Sequence, residues 1–199
     1  GIFTPTEGAA VGVLGTGLLA FIRGGVNRNS LSGALLATAS ATAMIFLIIL
    51  GAALFNNFLA LARVPQFAAE FIIVQGWSPW LVLVAILLLY LVFGCLMDSL
   101  SMILLTIPIF YPIVTQLDFG LSPAEFGLWF GILILIVVEM GLITPPVGLN
   151  LFIINKMARD TKLSQTYLGV LPFILSDLVR VVILVVFPSI SLLLVRWLV

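Results

Sequence analysis

The sequence predicts an all-α polytopic membrane protein with a helical hairpin and a broken transmembrane helix, and three observations carry that prediction. Of the 199 residues, 63% are hydrophobic and only 8% charged, with a mean hydropathy of +1.34, far beyond what a soluble domain keeps in solution. The apolar residues gather in five or six runs of about 20, the length that lets an α-helix cross a hydrocarbon core of roughly 30 Å. They do not alternate as barrel strands do. Two of the runs are also interrupted at membrane depth, at Gly94-Cys-Leu-Met-Asp-Ser-Leu-Ser-Met102 and at Gly141-Leu-Ile-Thr-Pro-Pro-Val-Gly148.

Composition also excludes several classes. The formal net charge is zero and no basic cluster is present, so nothing supports nucleic-acid binding or a strongly anionic-lipid patch. Cys95 is the single cysteine and there is no histidine, which removes a disulfide framework, a zinc site and a histidine-based catalytic triad within this chain. The opening run bears Glu7 and several glycines without a basic stretch followed by a cleavage site. Residues 1–199 therefore read as one helical unit and as the continuation of a longer protein, whose other part would complete any site.

The first segment opens at Thr4-Pro-Thr-Glu7, with a residue that can cap, a proline in the first turn and an acid where the helix dipole favours it. Glu7 is thus read as a helix-start residue, and the glycines at 8, 12, 15 and 17 as a face for close helix packing. Arg23 to Ser30 is a polar loop with two arginines, placed in the cytoplasm by the positive-inside rule. Leu31 to Ala62 forms the second segment, with Asn56 and Asn57 as capping or cross-linking residues near its end. Arg63 to Ser78 carries an amphipathic turn from Phe67 to Val74, followed by Trp77 and Trp80, which suit an interfacial belt.

The next stretch, residues 79–117, would be roughly 58 Å long as one helix at about 1.5 Å per residue, almost twice the hydrocarbon thickness. It must fold back or break. Folding back places the acidic loop Asp118 to Glu125 outside and the basic loop Lys156 to Lys162 inside, as the positive-inside rule demands. A hairpin over 79–117 is expected, either re-entrant or formed by two short full spans. Phe126 to Asn155 is the next segment, broken at Thr144-Pro145-Pro146, where two prolines remove amide donors and bar the preceding residue from α geometry. The last span, Tyr167 to Val199, is expected to carry Asp177 and Arg180 near its start, three apart on one face, as a mutual or snorkelling pair.

Two places could carry chemistry. Asp98, at the turn of the hairpin, is either a solvated loop acid or a functional tip to which Ser99 and Ser101 add hydroxyl oxygens; an ionised acid at bilayer depth costs roughly 2.5 to 3.5 kcal/mol. The broken helix is either a proline kink satisfied by its neighbours or a site. As a site, its unwound backbone would coordinate a small cation through Gly141, Thr144 and Pro146, and Val147 and Gly148 would open a second half-helix toward an anionic substrate. Glu139, two residues before Gly141, fits either structural pairing or ion coupling.

Four stretches, Thr4-Pro-Thr-Glu7, Met97-Asp-Ser-Leu-Ser101, Ile107-Pro-Ile-Phe-Tyr-Pro112 and Gly141-Leu-Ile-Thr-Pro-Pro-Val-Gly-Leu149, lie in order along the chain. Together they resemble the C-terminal half of the large membrane subunit of a tripartite ATP-independent periplasmic (TRAP) transporter. The resemblance implies one of two inverted repeats of an elevator-type carrier, the first repeat lying outside this chain. It implies a bacterial inner-membrane protein driven by a sodium gradient, taking up an organic acid delivered by a periplasmic binding protein and working with a small membrane subunit. It matches Asp98, Ser99 and Ser101 to the hairpin tip, and Gly141, Thr144 and Pro146 to the unwound stretch, as one sodium site beside the substrate. No other metal and no cofactor is implied, and dicarboxylates, sugar acids including sialic acid, and 2-oxo acids all fit as substrate. Competing readings are a membrane-embedded enzyme using Asp98 or Glu139 as general acid or base, and a passive scaffold subunit.

Overall fold

A computed structural model describes residues 4–157 and 161–198. Among the described residues there are helices and no strand: α1 (Pro5–Ile22), α2 (Arg28–Leu61), α3 (Val64–Val74), α4 (Pro79–Gly94), α5 (Ser99–Val114), α6 (Pro123–Leu142), α7 (Leu149–Met157), α8 (Leu163–Val186) and α9 (Pro188–Leu198). The chain is an all-α polytopic membrane protein, with α1, α2, α6 and α8 each long and apolar enough to cross a bilayer. It divides into two units, Gly1–Ile48 and Ile49–Val199.

In the first unit, α1 begins as its sequence predicts. The Glu7 amide donates to Thr4 Oγ1 at 3.3 Å, and Glu7 Oε2 accepts from the Thr4 amide at 2.7 Å, a reciprocal pair that satisfies two otherwise orphaned donors. Glu7 is therefore committed to the helix start. The start of α2 repeats the device, with Ser30 N–H donating to Asn27 Oδ1 at 2.7 Å and Asn27 N–H to Ser30 Oγ at 2.8 Å. Gly8, Gly12, Gly15 and Gly17 have no atom within 4 Å of where a Cβ would stand, so the small-residue face is open among the described residues.

The second unit is built on α4 against α6. Leu83, Ile86 and Tyr90 of α4 are buried on Trp129, Leu133 and Val137 of α6 in a continuous apolar cluster, the three-and-four spacing that places residues on one helix face. The amphipathic turn at 67–74 belongs to the longer α3, which buries Pro65 and Ala69. Helix α5 folds back along α4: Tyr90 and Thr106 meet in a hydroxyl hydrogen bond of 2.8 Å, and the Tyr90 and Phe110 rings stand 5.5 Å apart. The Thr106 hydroxyl donates onward to the Met102 carbonyl at 2.6 Å, so the buried Tyr90 hydroxyl is the donor of the pair. Helices α4 and α5 have 16 residues each, about 24 Å at 1.5 Å per residue, less than the hydrocarbon thickness.

Two expectations are corrected. The expected last span over Tyr167 to Val199 is two helices, α8 and α9, parted at Phe187 (φ −122°, ψ 73°). Pro188 explains the break: it has no N–H for the Leu184 carbonyl and pushes Phe187 out of α geometry. The carbonyl thus released accepts from the Trp129 indole Nε1 at 2.8 Å. Helix α9 then turns back on α6, burying Leu192 and pairing Arg196 Nε with Glu125 Oε1 at 2.7 Å. The second correction concerns Asp177 and Arg180, which do pair at 2.9 Å. They lie past the middle of α8 rather than near the start of the span, because that helix begins at Leu163 and ends at Val186. The basic loop at 156–162 falls partly outside the described residues.

Candidate functional site

The broken helix is assembled from local rules. At the start of α6, the Ser122 hydroxyl accepts from the Glu125 amide, and the Glu125 carboxylate accepts back from the Ser122 amide and hydroxyl. Helix α6 then runs to Leu142, where Pro145 and Pro146 deprive the carbonyls of Gly141 and Leu142 of their usual donors four residues on. Thr144 repairs part of the loss. Its N–H donates to the Gly141 carbonyl at 3.0 Å, and its hydroxyl donates to the Met140 carbonyl at 2.6 Å. The chain restarts at Gly148, in left-handed geometry at φ +59°; there a Cβ would stand 3.3 Å from the Thr144 carbonyl oxygen, so the turn requires glycine. Helix α7 follows from Leu149.

The hairpin tip has an equally local logic. Asp98 is the N-cap of α5: its Oδ2 accepts from the Ser101 N–H at 2.9 Å, satisfying a first-turn donor. Ser99 and Ser101 are therefore helical residues of the first turn of α5, and the non-helical link is Cys95–Asp98. Asp98 is exposed, and Ser99 and Ser101 are half-buried.

The two interruptions meet through a pair of glycines. A Cβ on Gly141 would stand 2.7 Å from the Gly94 Cα and 2.9 Å from the Leu91 carbonyl oxygen, and one on Gly94 would stand 2.9 Å from the Val138 carbonyl oxygen. Backbone touches backbone there, so α4 and α6 cross at the last residue of α4 and the last turn of α6. Just beyond the crossing, a cavity of about 170 Å³ is lined by residues that include Leu91, Cys95, Leu96, Thr144, Pro145 and Pro146. Cys95 is buried, with its sulfur 4.0 Å from the Pro145 carbonyl oxygen. Thr144 and Pro146 of the expected set line this cavity, whereas Asp98, Ser99 and Ser101 are not among its lining residues.

Three participants escaped the sequence reading. Gly94 and Cys95 lie four and three residues before the acid that drew attention to the tip, and a small residue at the end of a helix is a weak signal without its partner. The third is Tyr167, in the second turn of α8. Its hydroxyl lies 2.8 Å from the Val147 carbonyl oxygen and 3.1 Å from that of Pro146, holding two carbonyls of the break. Only its polar ring at the head of an apolar run marks it in the sequence. Glu139 is exposed, and neither ion pair among the described residues includes it. No group of three or more histidine, cysteine or acidic side chains able to hold a metal occurs among the described residues.

A spanning helix unwound at paired prolines thus packs, at its break, against the end of a helical hairpin, and irregular backbone of this kind is tolerated at membrane depth only where it is buried in protein or lines a cavity. The family description "Tripartite ATP-independent periplasmic transporter, DctM component" matches residues 1–190, and the chain belongs to that family. It is 35% identical over its whole length to the C4-dicarboxylate TRAP transporter large permease protein DctM of Pseudomonas aeruginosa, covering 45% of that protein. It is 32% identical over 96% of its length to the protein of the same name from Rhodobacter capsulatus, covering 42% of it. It is 30% identical over 98% of its length to the sialic acid TRAP transporter large permease protein SiaM of Vibrio cholerae, covering 44% of it. The chain thus spans less than half the length of these relatives. These are transporter permease subunits of the bacterial inner membrane rather than enzymes, and the reading of Asp98 and Glu139 as catalytic acids falls with that assignment.

Proposed function

We propose that this chain is the second, C-terminal repeat of a sodium-coupled elevator carrier that takes up an organic acid across the inner membrane. The observation that carries the reading is the Gly94 to Gly141 crossing, which joins the hairpin end to the helix break and gives the two a common cavity. Asp98, Ser99 and Ser101 at the tip, with the backbone of Gly141, Thr144 and Pro146, form the sodium site; the bound cation offsets the charge of a carboxylate substrate near Val147 and Gly148. The Gly141 and Pro146 carbonyls already accept one hydrogen bond each, and a carbonyl oxygen retains a second lone pair for a cation. The start of α7 at Leu149 adds unpaired N–H groups and a positive dipole end, which favour an anion.

The relatives named for C4-dicarboxylates and for sialic acid support a carboxylate as the substrate class. Family membership supports a small membrane subunit and a periplasmic substrate-binding protein as partners, with the N-terminal repeat supplying the remainder of the substrate pocket and the bilayer lipid surrounding both. The test is Asp98→Ala in the complete transporter reconstituted in proteoliposomes, with initial uptake measured against external sodium. The half-saturating sodium concentration should rise about tenfold or more, the scale of one lost charge-assisted contact. A curve superimposable on the wild type would remove Asp98 from the site.

A further inference from the structure

The carbonyls of the break are not equivalent. Those of Met140 and Gly141 accept from Thr144, and that of Gly148 accepts from the Leu151 N–H at 2.8 Å. Those of Pro146 and Val147 face one hydroxyl from a different helix, Tyr167, at 3.1 and 2.8 Å. A single O–H proton between two carbonyl oxygens fixes the direction of both, and through them the plane of the intervening peptide. The neighbouring residue Thr166 binds the far end of the same half-helix, its hydroxyl donating to Asn155 Oδ1 at 3.0 Å. Helix α7 is therefore held to α8 at its entry by Tyr167 and near its exit by Thr166. Only the first of these contacts touches the break.

We infer that Tyr167 is a positioning residue of the cation site: its hydroxyl clasps the Pro146 and Val147 carbonyls and thereby sets the geometry in which the break binds sodium. The inference rests on the reading of the break as a sodium site. Tyr167 touches neither the ion nor the substrate; it acts through the backbone it holds. Removing the hydroxyl while keeping the ring lets the 146–147 peptide turn, so cation affinity falls while transport at saturating sodium is retained.

The experiment compares Tyr167→Phe with Thr166→Val in the complete transporter, in proteoliposomes and as purified protein. Tyr167→Phe should raise the half-saturating sodium concentration about five- to tenfold, the effect of one hydrogen bond on binding, with the maximal uptake rate at least half that of the wild type. Sodium-dependent thermal stabilisation of the purified protein should shift to higher sodium by the same factor, a readout that does not depend on turnover. Thr166→Val should leave both sodium curves in place. An unshifted Tyr167→Phe, or an equal shift in both variants, overturns the inference, the second because it would mark general loosening of α7. Wild-type uptake indifferent to sodium would instead overturn the sodium-site reading beneath it.

Discussion

Gly94 and Gly141 show how much a single missing methyl can decide. A Cβ at either position falls within 3 Å of backbone atoms of the facing helix, and backbone cannot turn away as a side-chain tip can. Gly141→Ala should therefore destabilise the purified complete transporter by about 1 to 3 kcal/mol, the range for overpacking a tight contact, read as a lowered midpoint of thermal unfolding in detergent. Gly131→Ala on the same helix, where the space is open, should leave the midpoint unchanged or slightly raised, since alanine favours helix over glycine. The sequence singled out Gly141 for its place beside the proline pair and proposed its backbone as a ligand. Its role as the contact point with α4 was not legible, because that depends on which face of a distant helix arrives there.

A proline in a helix leaves the carbonyl four residues earlier without its usual donor, and two of these carbonyls are approached by side chains of other helices. Trp129 of α6 donates to the Leu184 carbonyl freed by Pro188. The Asn56 amide of α2 approaches the Leu104 carbonyl, the one freed by Pro108, at 3.5 Å. The interruption at Phe187 and the buried indole are thus one device. Trp129→Phe should cost about 1 to 3 kcal/mol, the penalty for an orphaned buried acceptor. The loss should shrink by about 1 kcal/mol in a Pro188→Ala background, where the restored backbone N–H can donate to the same carbonyl; a double-mutant cycle on thermal stability measures the coupling. Within the hairpin, Tyr90→Phe removes the donor to Thr106 but leaves Thr106 bonded to Met102, so its cost should be about 0.5 to 1.5 kcal/mol. Proline positions are visible in any sequence. The donors that answer them are not, because Trp129 and Leu184 are 55 residues apart.

At the scale of the whole molecule, the orientation follows from loop charge and can be tested directly. In a Cys95→Ser background of the complete transporter, Asp118→Cys should react with a membrane-impermeant thiol reagent added from the periplasmic side. Lys156→Cys should react only after the membrane is opened. The reverse pattern would invert the topology derived from the positive-inside rule. The Arg196 to Glu125 pair that closes α9 on α6 is partly exposed, where water and salt screen the attraction. The placement of α9 therefore rests more on the burial of Leu192 than on this charge pair.

Hydropathy, segment length and the proline pair determined by themselves that this is a helical membrane protein with one broken span, because those rules act along the chain and need no neighbour. The capped starts at Thr4 and Ser122 belong to the same class, since cap and partner lie three residues apart. Tertiary structure alone decided that α4 meets α6 at two glycines, that Tyr167 occupies two carbonyls of the break, and that the last run turns at Phe187 to lay α9 against α6. Those outcomes depend on which side chains from remote segments arrive beside an exposed carbonyl or a bare Cα. Without solvent in the bilayer to satisfy a free backbone group, whatever donor the packing brings within reach fixes the local structure.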